Sequence, residues 1–331
     1  MPLKDFFNKL LGSSEPASGP NSVATVPAGP PPAPPQQAAP NIAPVTEAAS
    51  PAEATKTLPD TAPLSAPAAR KATCGSIFCV GRASDVGRVR SHNEDAIFIF
   101  LSDQEGDGAL APFGLFILAD GMGGHQAGEM ASALACRVVA HYLLQNIYLP
   151  MLNGAERHST QASLQDLIVA AITHANQEVA RAFPGSGTTL TCGLLMGERL
   201  LVGHVGDSRA YLLREDKEPQ LLTKDHSLVS RLVEMGQLTV EEAAVHPQRN
   251  VLYRAVGQGG PLDVDISTYP LSTGDRLLLC CDGLWGLLSE TQLWQIIDEA
   301  PSPHAACEQL VQAANAAGGN DNISVVLAQI H

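Results

Sequence analysis

Short apolar runs that end in Asp or Gly constrain the fold of this 331-residue chain more than any other feature. From about residue 75 onwards the runs are "AIFIFL" (96–101), "FGLFILAD" (113–120), "GTTLTCGLLM" (187–196), "RLLVGHVGDSRAYLL" (199–213) and "DRLLLCCDG" (275–283). Runs of this kind, closed by turn residues, predict β-strands. They follow one another through tight turns such as "MGER" (196–199), which favours antiparallel sheets.

Longer segments with helical periodicity separate the runs of strands. Apolar residues recur at helical spacing over 127–147 and 164–183, and two further helices are predicted near 290–299 and 303–317. Strands grouped together, with helices packed outside them, predict one α+β domain.

The first 70 residues differ in composition from the rest. They contain 15 of the 24 prolines and few aromatic residues. Such a segment buries too little apolar surface to offset the entropy lost on ordering. We therefore predict a disordered Pro/Ala-rich tail over 1–70 and a folded domain over 71–331. The start, "MPLKDFFNKLLGSS", could form a short helix that touches a membrane or a partner, although an unstructured terminus is the simpler interpretation.

The charge of the chain excludes some partners. After residue 70 there are 16 Lys and Arg against 29 Asp and Glu, which gives −13 out of the total of −14. A protein that binds nucleic acid phosphates needs clustered Lys and Arg, so we do not expect a nucleic acid partner. No apolar run reaches the ~20 residues of a membrane span.

The seven cysteines form no zinc-type pair, and most of them lie in apolar runs. This pattern predicts reduced, buried thiols in a cytoplasmic protein, which we expect to be a monomer. Cys74 and Cys79 could instead bind a metal or form a cross-link.

Acidic residues stand at the ends of several predicted strands: Asp120 in "LADGMGGHQAGE", Asp207, Asp282, Asp321, and the pair Glu94–Asp95. A single Asp–Gly at a strand end is usually only a turn. Several carboxylates at the ends of strands that pack together repel one another, so a cation is expected among them. Oxygen donors without His or Cys favour Mg²⁺ or Mn²⁺. Glycines after Asp120 also let the backbone approach a bound ion.

Eight motifs, in order along the chain, resemble those of the metal-dependent protein phosphatases of the type 2C (PPM) family in its bacterial form. They are "DVGRVRSHNEDA" (85–96), "ADGMGGHQAGE" (119–129), "GTTL" (187–190), "VGDSRAY" (205–211), "LTKDHS" (222–227), "LYRAVG" (252–257), "LCCDGLW" (279–285) and "GGNDNISVV" (318–326). The resemblance covers about 76–331. It implies a sandwich of two antiparallel β-sheets flanked by pairs of α-helices.

The resemblance also implies roles for individual residues. Asp120 would bridge two Mn²⁺ or Mg²⁺ ions, and the Gly121 carbonyl would bind one of them. Asp282 and Asp321 would hold the first ion, and Glu94 the second, largely through water. Asp207, with Asp282, would hold a third and weaker ion. Arg90 would bind the substrate phosphate, while Asp95 and Asn322 would support the ligands without binding metal.

The implied activity is hydrolysis of phosphoserine and phosphothreonine in proteins, by a water that two metal ions activate. Such an enzyme would oppose a bacterial Ser/Thr kinase, with that kinase and its substrates as partners. Cys280 and Cys281 then need no nucleophilic role. The alternative is an inactive relative that acts as a binding module. Such a relative would be expected to lack a core acid, whereas Asp120, Asp282 and Asp321 are all present. A regulatory phosphatase with a single target would usually carry a sensor domain, of which 1–70 shows no sign.

The motifs depart from the family pattern in one place. Many eukaryotic relatives have His directly after the Asp–Gly pair, as the proposed proton donor to the leaving group, whereas this chain has Met122. His125 is the nearest imidazole in sequence, and a metal-bound water is the other candidate donor. The polar segment 224–256 matches a flap beside the metal site in the family; a surface insertion is the alternative.

Overall fold

The computed structural model describes residues 73–74, 77–104, 110–123, 126–154, 162–215 and 217–331. All of them belong to one compact unit, Ser65–His331. The predicted tail over 1–70 and the candidate proton donor His125 lie outside the described residues.

Two antiparallel sheets form the centre of this unit. The strands of the first sheet are β1 (Thr73–Cys74), β2 (Phe78–Asp85), β8 (Arg209–Leu213), β9 (Gln220–Leu221), β11 (Arg276–Cys280) and β12 (Ile323–Ile330), in the spatial order β1-β2-β12-β11-β8-β9. The strands of the second are β3 (Asp95–Ser102), β4 (Phe113–Met122), β6 (Leu190–Met196), β7 (Arg199–Val205) and β10 (Asp265–Pro270), in the order β10-β7-β6-β4-β3. A two-residue strand, β5 (Gly187–Thr188), pairs with the end of β4.

Helices pack on both outer faces. The second sheet carries α1 (Gln126–Leu143), which continues through a π-helical turn (Leu144–Tyr148) into α2 (Leu149–Leu152), together with α3 (Leu164–Ala182). The first sheet carries α7 (Glu290–Glu299) and α8 (Pro303–Ala316). Three short helices lie closer to the strand ends: α4 (Leu228–Glu234), α5 (Val240–Ala244) and α6 (Asp282–Trp285).

The alternation of side chains along each strand produces this layering. In β11, Leu277 and Leu279 point between the sheets, while Leu278 and Cys280 pack under α7 and α8. In β4, Phe116 and Leu118 enter the space between the sheets. Phe113, Leu115, Ile117 and Ala119 of the same strand pack under α1 and α3. The central strands are therefore apolar on both faces, as layers covered on both sides require.

The predicted α+β sandwich with helices outside is confirmed, with corrections in detail. The run 199–213 is two strands in different sheets, because Gly206 (φ +114°) and the following turn redirect the chain. The run 275–283 ends as a strand at Cys280, and Asp282 begins a helix. Strands β2 and β10 were not among the predicted runs.

The cysteines follow the expectation with one exception. Five are buried free thiols: Cys136, Cys192, Cys280, Cys281 and Cys307. Cys79 is disulfide-bonded, so the expectation of reduced thiols is wrong there. Among the described residues, no helix is both long and apolar enough to cross a bilayer.

Candidate metal centre

A polar cleft of about 380 Å³ opens where strand ends of the two sheets meet. Five carboxylate residues and one arginine line it: Glu94, Asp120, Asp207, Asp282, Asp321 and Arg90. Gly121 also lines it. The structure thus brings together residues that lie as far apart in sequence as 90 and 321, and that sequence analysis predicts to share one site.

Asp120 lies near the end of β4, directly opposite Asp95 of β3. Two threonines hold its backbone: the Thr189 hydroxyl accepts from the Asp120 amide at 2.9 Å, and the Thr188 hydroxyl donates to the Asp120 carbonyl at 2.8 Å. The Thr189 hydroxyl also contacts that of Ser208 at 2.8 Å, which ties Asp120 to the turn that carries Asp207. Both threonines belong to the motif "GTTL", but no role was predicted for them from the sequence. Two adjacent hydroxyls at the start of a strand were the only sequence signal for this role.

Close backbone packing surrounds Gly121 and Glu94. A Cβ atom on Gly121 would lie 2.3 Å from the Gly128 carbonyl oxygen, so only glycine fits there. The Gly121 amide donates to the Glu94 carbonyl at 3.1 Å. A Cβ on Gly128, at the start of α1, would lie 2.9 Å from the Glu94 carboxylate. Glycine at 121 and at 128 therefore lets the Glu94 side chain lie against the start of this helix beside Asp120.

Burial and neighbouring negative charges raise the pKa values of Asp282 and Asp207. Burial, followed by the charge of Asp321, raises the pKa of Asp282 to about 6, although a hydrogen bond with Asp120 opposes the shift. Burial and then the charge of Asp282 raise the pKa of Asp207 well above its ordinary value. The pKa of Asp120 is raised in the same way, first by burial and then by Asp95. These shifts mean that the cluster favours bound protons or cations over bare negative charge.

Arg90 points its guanidinium into the cleft. It donates to Asp321 at 2.7 Å, and the Arg90 side chain remains 49% exposed. That hydrogen bond, with smaller contributions from Glu94 and Asp120, raises the pKa of the guanidinium. The exposed part leaves donors of the planar fork available to a phosphate.

Asn322 fixes the loop that carries both Arg90 and Glu94. Its side-chain amide donates to the carbonyls of Val86 at 3.0 Å and His92 at 2.8 Å. Its side-chain oxygen accepts from the Glu94 amide at 2.8 Å. Asn322 therefore lies behind the cleft and orders its rim, in the kind of place that sequence analysis predicts for it.

Asp95 is a buried carboxylate without a matching donor. Among the described residues, neither of its carboxylate oxygens has a hydrogen-bond partner of acceptable geometry. The nearby Cys281 thiol donates to the Asn322 carbonyl at 3.3 Å, and the Ser324 hydroxyl contacts that of Ser84 at 2.8 Å. Burial raises the pKa of Asp95 to about 7; contacts with Ser324 and Cys281 lower it, and the charges of Asp282 and Asp321 raise it further. Burial also raises the pKa of Cys281 well above its ordinary value, which keeps the thiol protonated.

This donor set fits divalent cations. The cleft offers five carboxylates and the backbone beside Gly121, with Arg90 as the one Lys or Arg among the described residues that line it. Asp95, unpartnered and buried opposite Asp120, adds further uncompensated charge. Carboxylate and carbonyl oxygens are hard donors that suit Mg²⁺ and Mn²⁺.

His226 positions the turn that carries Asp207, a role that sequence analysis did not assign. Its amide donates to the Gly206 carbonyl at 2.7 Å, and its Nδ1 accepts from the Gly206 amide at 3.0 Å. Because Nδ1 is an acceptor, the proton of neutral His226 lies on Nε2, which faces Asp265 at 3.2 Å. The first residues of the segment 224–256 are thereby joined to the turn that carries Asp207, which lines the cleft.

Comparison with known proteins defines the class. A model of the family described as "Protein phosphatase 2C" matches residues 87–320. The chain belongs to this family, as sequence analysis predicts. The α+β sandwich and the assignment to metal-dependent Ser/Thr protein phosphatases are confirmed with it.

Individual relatives give the same result. The serine/threonine phosphatase stp of Listeria innocua is 35% identical over 246 residues, which cover 74% of this chain and 93% of the relative. The serine/threonine phosphatase of S. agalactiae has a TM-score of 0.65 at 34% identity, covering 77% of this chain and 100% of that structure. The catalytic domain of the phosphatase PstP, solved in complex with two manganese ions, has a TM-score of 0.62 at 34% identity and covers 77% of this chain and 98% of that domain.

Proposed function

We propose that this protein is a phosphoserine/phosphothreonine phosphatase whose reaction occurs in the cleft around Asp120. The observation that carries the proposal is the gathering of five carboxylates around a single arginine, with pKa shifts that reflect uncompensated charge. The manganese-bound PstP domain supports the same conclusion by similarity.

Two Mn²⁺ or Mg²⁺ ions would be held by Asp120, which would contact both, by Asp282 and Asp321 at one ion, and by Glu94 with the Gly121 carbonyl at the other. Asp207 and Asp282 would form a third, weaker site. When bound, such ions lower the pKa of water towards neutrality and neutralise charge on a phosphoryl group. Asp95 and Asn322 support this set from behind, Asp95 opposite Asp120 and Asn322 through the Glu94 loop.

Arg90 has a separate task in this proposal. Its exposed donors bind the phosphoryl oxygens of the substrate, while Asp321 holds the guanidinium in orientation. No covalent phosphoenzyme is needed, and the buried thiols of Cys280 and Cys281, whose pKa values burial raises, take no part. Met122 lines the cleft and cannot transfer a proton, so the proton for the leaving serine or threonine comes from another group.

The wider setting follows from the reaction class. We propose phosphorylated proteins as substrates, and a Ser/Thr kinase as the enzyme whose products this protein dephosphorylates. We also propose a cytoplasmic monomer with a catalytic domain over 71–331. A tail over 1–70 outside the catalytic domain is part of the same proposal.

Phosphate release from a phosphothreonine peptide and from p-nitrophenyl phosphate, with Mn²⁺ and with EDTA, tests the proposal. We expect turnover with Mn²⁺ and none with EDTA, and Asp120→Asn should abolish turnover. The matched control is Asp298→Asn, a surface acid that pairs with Arg276 and is not among the residues lining the cleft. Absence of turnover by the wild-type protein with Mn²⁺ would favour the alternative, an inactive binding module.

A further inference from the structure

A second cavity, of about 540 Å³, opens directly beside the metal cleft. The two spaces share the side chains of five residues: Arg90, Asp207, Asn250, Asp282 and Asp321. The two cavities therefore adjoin, and the second lies within reach of residues that flank a phosphoryl group in the cleft. Its volume lies within the range of cavities that enclose ligands.

One wall of the second cavity is apolar and comes from the segment 224–256. Val229 and Val233 of α4 line it, as do Val240, Ala243 and Ala244 of α5. The i, i+4 and i, i+3 spacings place these side chains on one face of each helix. Ser227 and Thr239 cap the two helices, which fixes the direction of both faces. Val240 lines the cavity and is still 69% exposed, so this apolar wall faces open space.

Trp285 and Leu287 add further apolar surface to the cavity. The rest of the lining is mostly polar or charged: Arg90, Asp207, Arg209, Asp225, Ser227, Ser230, Arg249, Asn250, Asp282, Asn320 and Asp321. The Trp285 ring is held in place, because its Nε1 donates to the Asp207 carbonyl at 3.1 Å. The Arg209 guanidinium lies over the ring at 3.6 Å, and Asp225 accepts two hydrogen bonds from Arg209 at 3.1 and 2.8 Å. The arginine charge is therefore compensated, and the Trp285 ring is fixed in orientation between these contacts.

We propose that this cavity binds a bulky apolar side chain of the substrate, located within a few residues of the phosphorylated serine or threonine. The inference rests on the proposed function and adds a preferred substrate class to it. Its basis is the set of residues that the cavity shares with the metal cleft, together with the apolar patch that α4, α5, Trp285 and Leu287 contribute to an otherwise polar lining. The site selects leucine-like over small polar residues because only the former lose water-exposed apolar surface on entry.

The test uses the full chain with Mn²⁺ and a series of phosphothreonine peptides. In each peptide one position flanking the phosphothreonine carries Leu, and its partner peptide carries Ser there. We expect one flanking position at which the Leu peptide has a kcat/KM about tenfold higher. Val240→Asp should reduce that preference to about threefold or less, and so should Ala244→Phe, which fills the cavity. Turnover of p-nitrophenyl phosphate, which has no flanking residues, should be unchanged.

Val245→Asp is the matched control, since Val245 is 79% exposed, follows α5 directly and is not among the residues lining the cavity. It should keep the full preference. Equal kcat/KM for Leu and Ser at every position, with peptides still dephosphorylated, would overturn this inference but leave the proposed function intact. Absence of turnover on all substrates would overturn both. A changed sedimentation coefficient in Val240→Asp, with an unchanged Leu preference, would show that a second copy of the chain occupies the cavity instead.

Discussion

Replacing Asp282 by Asn should stabilise the metal-free protein while it abolishes activity. Asp282 begins α6 at the edge of the cleft, where burial and the Asp321 charge raise its pKa to about 6. At neutral pH the folded protein must therefore hold an ionised group that its surroundings disfavour. The amide of Asn has nearly the same shape and no charge, and its oxygen can still accept from the Gly283 backbone that contacts Asp282.

The magnitude follows from the pKa of this one group. A rise from the ordinary value of 3.8 to about 6 corresponds to about 3 kcal/mol, at 1.36 kcal/mol for each pKa unit. We treat this figure as an upper limit, because the ionisation of Asp282 depends on the charge of Asp321 and on the hydrogen bond with Asp120. The expected gain of Asp282→Asn without metal is therefore about 1–3 kcal/mol at neutral pH. A gain of each kcal/mol raises the Tm of a domain of this size by about 2–4 °C.

The sign of the pH dependence gives a second test. A carboxyl group with a raised folded-state pKa stabilises the fold fully below its unfolded pKa of 3.8, and this contribution is lost as the pH rises through about 6. The variant should therefore exceed the wild type in stability above about pH 6, and the difference should vanish towards about pH 4. Mn²⁺ should reverse the order, because ion binding at 100 times its Kd adds about 2.7 kcal/mol to the wild type and less to the variant.

Urea unfolding in EDTA across this pH range, repeated with Mn²⁺, measures each of these quantities. The control is Asp298→Asn, which should change stability little at any pH because the acid lies in an exposed pair with Arg276. A variant that is less stable than the wild type in EDTA at neutral pH would refute the reasoning. So would a difference that does not depend on pH.

Three further predictions test other parts of the site. Gly128→Ala should keep the fold but raise the Mn²⁺ concentration for half-maximal activity on the order of tenfold. The reason is that the new Cβ would lie 2.9 Å from the Glu94 carboxylate and displace it. An unchanged Mn²⁺ titration would contradict this prediction. Arg90→Lys should lower kcat/KM for a phosphopeptide by about 1–3 kcal/mol, mainly through KM, with little change in the Mn²⁺ titration; an effect on metal binding alone would contradict the phosphate role. A chain that starts at Ala72 should keep its kcat/KM on small phosphopeptides, and loss of folding would show that the boundary at 70/71 is wrong.

Local sequence patterns were sufficient to predict most of the central strands and the four long helices, because these have clear periodicity. Local patterns did not predict the features that depend on tertiary structure. The run 199–213 is apolar on both sides of Gly206, and Gly206 at φ +114° and the Asp207 turn send its two halves into different sheets. Strand β10 has an exposed and half-buried pattern with Thr268 and Pro270, typical of an edge, and the sequence alone gives it no strong signal.

The residues of the candidate site also fall into two groups, those that the sequence could predict and those that it could not. The carboxylates could be predicted because each stands at one end of an apolar run, and the resemblance to a known family assigned them roles. The residues that orient them could not, since their function depends on contacts between distant segments. Thr189 and Ser208 are 19 residues apart and join Asp120 to the Asp207 turn. His226 binds the backbone of Gly206 twice, once through its own amide and once through its Nδ1, and nothing in "LTKDHS" indicates either hydrogen bond.

The most direct test of the metal centre is a crystal structure of the protein grown with Mn²⁺, with diffraction data collected at a wavelength where manganese scatters anomalously. We expect two strong anomalous peaks on either side of the Asp120 carboxylate. One should lie close to Asp282 and Asp321, and the other close to Glu94 and Gly121. The same crystals of Asp282→Asn should lose or weaken the first peak. Manganese bound only outside the cleft, in a protein that is active with Mn²⁺, would contradict the account.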